Sequence, residues 1–89
     1  MTLAELKRKL TAGAEYYLVF CNARPMEKEL YRKVTQAQSN GVWYEGDGLK
    51  PFTQGFLEYP KASGFTETKD GWEFEKGGVV LGFRWTKGA

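Results

Sequence analysis

The sequence predicts an α+β domain: one short N-terminal helix packed on a strongly bent antiparallel sheet of five or six strands, either open or closed into a small SH3-like barrel. Three observations carry this. A helix-capping tetrapeptide, Thr2-Leu3-Ala4-Glu5, precedes a leucine stripe. Alternating segments after residue 14 are punctuated by Gly, Asn and Pro. The run from Phe65 to Trp85 holds two hairpin-turn dipeptides, Asp70-Gly71 and Gly77-Gly78.

In the first segment the Thr2 hydroxyl is expected to accept an early helix N–H, with Glu5 returning to the Thr2 N–H. Leu3, Leu6 and Leu10 fall on one stripe, Lys7, Arg8 and Lys9 suit the negative end of the helix dipole, and Gly13 offers a left-handed stop. Two to three turns are marginal alone, so the stripe must dock on a sheet. Lys7 to Lys9 then form a solvated helix end. Residues 15–22 place Tyr16, Leu18 and Phe20 on one side and Tyr17, Val19 and Cys21 on the other. Two apolar faces predict a central strand covered on both sides, with Cys21 as a small buried hydrophobe.

Residues 25–45 admit two readings. Pro25 followed by Met26, Leu30, Val34 and Ala37 fits a helix, whereas a strand over about 29–38 can pair with 42–45 through Ser39-Asn40-Gly41. A three-residue loop with Gly41 left-handed puts Val42 and Tyr44 on the face of Leu30 and Val34, an apolar face that favours the strand. Tyr31, Lys33, Trp43 and Glu45 share the opposite face. Residues 46–51 read as a loop, Phe52 to Tyr59 as a strand stopped by Pro60, and 60–64 as a connection with room for one helical turn.

In the closing meander, two-residue turns would pair Glu67 with Phe74, Phe74 with Leu81 and Trp72 with Phe83. Phe65, Trp72, Phe74, Val79, Leu81, Phe83 and Trp85 then share the inner face, and Thr66, Thr68, Glu73, Glu75, Val80 and Arg84 the outer one. The meander is therefore the floor of the core. Trp85 is placed either in that core or at a dimer contact, and the oligomeric state stays open.

The chain of 89 residues reads as one domain over 1–89, with one modest core. At 42% hydrophobic and 16% aromatic, a few large rings must supply much of the buried area. The net charge of +2 is too small to announce a nucleic acid or a membrane, although residues 1–33 hold seven basic against four acidic side chains. The single cysteine and the absence of a secretory signal or long apolar run point to the cytoplasm and to no membrane partner. Without histidine, imidazole catalysis and His-ligated metals are excluded, and one cysteine cannot build structural zinc.

Gly46-Asp47-Gly48 lacks the remaining residues of a dinucleotide or phosphate loop, and Glu45 with Asp47 is too few ligands for a hard cation. Glu58, Glu67, Glu73 and Glu75 suggest a carboxylate pair, but Glu73 and Glu75 fall on the solvent face, where burial cannot tune them. No enzyme, cofactor or metal is expected. The remaining constellation is Tyr31, Lys33 and Trp43 on one hairpin face, with Arg24, Lys28 and Arg32 near in sequence. Arg24, Tyr31, Arg32, Lys33 and Trp43 are the candidate binding residues, fitting either a protein-docking hot spot or a base-stacking surface. Packing of Trp43 against the helix is the plain structural alternative.

Thr2-Leu3-Ala4-Glu5-Leu6-Lys7, the segment VTQAQSNGV over 34–42, and Leu57-Glu58-Tyr59-Pro60-Lys61-Ala62-Ser63 together resemble a pattern in small hypothetical proteins of tailed bacteriophages and prophages. The chain departs from it in the charged stretch 24–29 and in having Tyr59 where Trp is frequent. The resemblance implies a short helix followed by strands and a phage origin, and no functional residue. The expectation is a non-enzymatic, phage-encoded interaction protein that binds a host or phage macromolecule, most readily a protein. A nucleic-acid-binding β-barrel module using the same residues with Lys7 to Lys9 is the alternative.

Overall fold

The computed structural model describes residues 2–47, 53–61 and 64–86. Helix α1 (Leu3–Lys9) is followed by strands β1 (Glu15–Cys21), β2 (Arg24–Gln38), β3 (Gly41–Gly46), β4 (Thr53–Glu58), β5 (Phe65–Glu67), β6 (Gly71–Lys76) and β7 (Val79–Trp85). The sheet runs β4-β3-β2-β1-β7-β6-β5 and every pairing is antiparallel. The α+β class and antiparallel sheet are as expected. The strand count is not: there are seven strands among the described residues, because each of the four segments read between residues 15 and 59 and all three strands of the meander form separately, 65–67 as a short edge. The sheet is open, with β4 and β5 at its ends, so no SH3-like barrel forms.

It is nevertheless curled. Lys76 on β6 pairs with Glu58 on β4, although five strand spacings, about 24 Å if flat, separate those strands. Leu57 and Tyr59 accordingly pack against the same core as Trp72 and Phe74. Helix α1 plugs the inner face with Leu6 and Leu10, both fully buried. Thr2 caps it, its Oγ1 accepting the Glu5 N–H at 3.2 Å. The reciprocal half differs from a capping box, since Glu5 takes the Thr2 hydroxyl instead of its N–H. Gly13 is left-handed at φ 94°, three residues beyond the cap residue Leu10.

The core is an aromatic cluster. Trp72 stacks on Phe83 at 5.0 Å, lies 4.5 Å from Trp85, and takes the edge of Tyr16 at 5.4 Å. Trp85 is thus an internal residue. The meander faces are those expected, although Val79 at the end of the inner one is exposed, and the first turn sits one residue earlier than Asp70-Gly71. Glu67 pairs with Trp72 and Phe65 with Phe74, and the Thr68 N–H reaches the Gly71 carbonyl at 3.1 Å, so Lys69 and Asp70 form the turn. The shift is two residues, which preserves every face. Gly71 opens β6 instead of turning, where backbone of Phe83 and Arg84 leaves no room for a Cβ.

The strand reading of 29–38 holds and the helical one does not. Val34 pairs with Tyr44 as the apolar face requires, but the irregularity that achieves this lies between Val34 and Gln36, not at Gly41. Ser39-Asn40 is the two-residue turn. A second slip, between Leu18 and Phe20, moves Phe20 to the outer face opposite Gly82 and leaves Cys21 half-buried opposite Leu81. Among the described residues only side chains of neighbouring strands cover the outer side of β1; the helix covers the inner side alone. The loop expected at 46–51 lies largely outside the described residues, as do Phe52 and residues 62–63 of the connection; Gly46 itself ends β3.

Candidate functional site

Antiparallel pairing assembles the outer face in rows. Across β1, β2, β3 and β4, Glu15 faces Lys33, Lys33 faces Glu45, and Glu45 faces Gln54. In the next row Arg84 faces Tyr17 and Tyr17 faces Tyr31. Nearer the Ser39-Asn40 turn, Gln36 faces Trp43 and Trp43 faces Phe56. Tyr31, Lys33 and Trp43 therefore share the outer face, as alternation on β2 and β3 requires.

Trp43 is 43% exposed, and its ring lies 5.0 Å from that of Phe56. It does not pack against the helix. Tyr31 meets Tyr17 edge-on at 5.9 Å, and the Arg84 guanidinium lies 4.4 Å from the Tyr17 ring centre. Arg84 Nε donates to Glu29 Oε2 at 3.0 Å, and its Nη2 bonds the same oxygen. That bond holds the Glu29 carboxyl below its ordinary pKa and raises the guanidinium. The Tyr31 phenol is raised chiefly by desolvation, with a hydrogen bond to Glu15 adding to it.

Two of the five candidates are elsewhere. Arg24 is exposed at the opposite end of β2, where it pairs with Cys21 beside the Asn22-Ala23 turn. Nine residues of strand, about 30 Å, separate it from Lys33. Arg32 points the other way. It is buried at 8% exposure on the inner face, its guanidinium carbon 4.3 Å from the Tyr44 ring centre. The alternation that turns Tyr31 and Lys33 outward turns Arg32 inward.

Two partners escaped the sequence reading, Phe56 and Tyr17. The signal for Phe56 is Gly55: the Tyr44 ring occupies the space that a Cβ at Gly55 would fill, which pins β4 to β3 with Phe56 opposite Trp43. Charge on this face is mixed, since the Lys33 cation stands between two carboxylates. Among the described residues no group of three or more His, Cys, Asp or Glu is placed to hold a metal. Among the described residues no helix is long and apolar enough to cross a membrane. Comparison with protein-family models, with curated proteins and with solved structures finds no match, so the reading of this face rests on its own geometry.

Proposed function

We propose that this chain is a non-enzymatic interaction protein that docks a partner protein on its outer sheet face, centred on Trp43 and Phe56 and extended by Tyr31 and Lys33. The observation that carries this reading is the exposure of Trp43. It is the largest exposed apolar side chain among the described residues, and it stands on a rigid ladder instead of in a loop. An aromatic pair that burial in the fold does not account for is what interface hot spots are made of. The acids Glu15 and Glu45 beside Lys33 suit a partner surface of mixed charge. They disfavour a polyanion, which the buried Arg32 and the distant Arg24 cannot help to neutralise. The resemblance to phage-encoded chains makes a cytoplasmic protein of host or phage the expected partner.

The test compares wild type with Trp43→Ala and Tyr31→Ala in capture from host lysate, followed by titration of each captured protein in purified form. Trp43→Ala is expected to weaken a true partner by about 30-fold or more, the size of a hot-spot residue. Val79→Thr, at an exposed apolar position remote from this face, is expected to bind as wild type. Equal binding by wild type and both aromatic variants would refute the docking face. Oligonucleotide binding that depends on Trp43 and falls steeply with salt would refute the choice of a protein partner.

A further inference from the structure

The inner face carries a second feature, independent of Trp43. Helix α1 fills one part of the curled sheet, and beside it lies a partly open cleft of about 60 Å³ lined by Tyr16, Leu18, Arg32, Tyr44, Leu57, Leu81 and Phe83. Six of these are apolar or aromatic, and Arg32 is the only charged group. Its side chain is more than nine-tenths buried, and neither Nε nor Nη1 has a hydrogen-bond partner. The face of Tyr44, which lies over Gly55 because that position has no Cβ, stacks on the guanidinium, and Tyr16 faces Arg32 across the β1–β2 ladder.

A buried guanidinium without an anion is costly, since desolvation is not repaid by a ring face alone. Nothing in the packing demands it: a methionine would fill the same stem volume and bring no charge. The cation is therefore best understood as half of a pair whose other half comes from outside the chain. One fixed positive charge among apolar walls matches one negative charge. A phosphate dianion would leave a net charge in the cleft, whereas a carboxylate matches the planar N–H donors in charge and shape. About 60 Å³ admits a small head group, and the open side of the cleft leaves room for a short chain to extend out of it.

We propose that this cleft binds a small aliphatic monocarboxylate, its carboxylate seated on the Arg32 guanidinium and its carbon chain against Leu18, Leu57 and Leu81. The burial that raises the Tyr16 phenol pKa keeps that hydroxyl protonated beside the cleft, as a neutral neighbour.

The experiment is a titration of the intact chain with butyrate, butyramide and inorganic phosphate, followed by NMR of the Arg32 Nε–H and the leucine methyls. Saturable butyrate binding is expected, with shifts confined to Arg32, Leu18, Leu57 and Leu81. Butyramide, which keeps the chain and loses the charge, is expected to bind at least about tenfold more weakly, as is phosphate. Arg32→Met is expected to lose butyrate affinity by a similar factor while retaining the near-ultraviolet dichroism of the tryptophan core. Equal affinity for butyrate and butyramide, tighter binding of phosphate, or unchanged butyrate binding in folded Arg32→Met would each overturn the proposal. If Arg32→Met fails to fold, the butyrate-to-butyramide ratio on wild type decides it. Loss of partner docking in Trp43→Ala leaves these readouts unaffected, so the two proposals fail separately.

Discussion

The ring of Phe20 fills the space that a Cβ at Gly82 would occupy. The contact exists because the β1 ladder slips at Val19: Leu18 pairs with Phe83 on the inner face, yet Phe20, two residues on, pairs with Gly82 on the outer one. The slip thus transfers an aromatic ring from core to surface, and the glycine accommodates it. Gly82→Ala is expected to cost about 1–3 kcal/mol, because the ring must leave its position. In Phe20→Ala the obstruction is gone, so the double variant should be more stable than the sum of single effects by about 0.5 kcal/mol or more. Urea unfolding of the four proteins measures this coupling, and strict additivity would show that ring and glycine do not constrain each other.

The β1–β2 turn places two non-glycine residues in the left-handed region, Asn22 at φ 53° and Ala23 at φ 59°. Asn22 is suited to it and is tied to β7, its N–H donating to the Val80 carbonyl at 2.6 Å and its Oδ1 accepting the Val80 N–H at 3.3 Å. Ala23 has no such compensation. Ala23→Gly should therefore stabilise the chain, by about 0.5–1 kcal/mol after the entropy glycine adds to the unfolded state. Ala23→Val should do the reverse, and the order of the two thermal midpoints is the readout.

How far these features were legible in the sequence differs from element to element. Gly77 and Gly78 both adopt positive φ, and the β6–β7 register follows from them residue by residue. Asp70-Gly71 has the same chemistry, but its register slides by two because Gly71 is required where two backbones meet closely, a tertiary demand. The ladder slips at Val19 and Thr35 are likewise set by three strands at once, which local sequence does not encode. The charged stretch 24–28 hid the first half of β2, since it has no apolar alternation to betray a strand. Arg32 is different, because its burial was legible: the alternation that sends Val34 inward sends Arg32 inward too. Proximity in sequence to Tyr31 and Lys33 had grouped it with the wrong face.

Two tryptophans with opposite surroundings should respond oppositely to truncation. Trp72 has no exposed surface and contacts Tyr16, Phe83 and Trp85. Trp72→Ala should cost about 3–5 kcal/mol, enough to leave a domain of this size near the edge of folding. Trp43→Ala should cost no more than about 1 kcal/mol, since much of the ring is already in water. Chemical denaturation of both variants tests this. A large stability loss in Trp43→Ala would make the Trp43–Phe56 pair a structural element and remove the reason to read it as a docking surface.

The bond between Glu29 on β2 and Arg84 on β7 joins residues 55 apart in sequence across β1, and it gives the chain a predictable response to acid. Arg84 bonds Glu29 and lowers its carboxyl pKa from the ordinary 4.5. For a carboxyl depressed on folding, the stabilising contribution is complete above the unfolded pKa and disappears as pH falls through the folded one. The contribution should therefore be full at neutral pH and begin to fade below about pH 4.5. Both partners lie at the surface, so the effect is small and screened by salt. Glu29→Gln removes the titrating group, and its stability relative to wild type should be lower at pH 7 and converge with it as the pH approaches 3. High salt should shrink the neutral-pH difference. A difference that stayed constant from pH 7 to pH 3 would mean that Glu29 acts through packing or local strand propensity, with the charge on Arg84 contributing nothing.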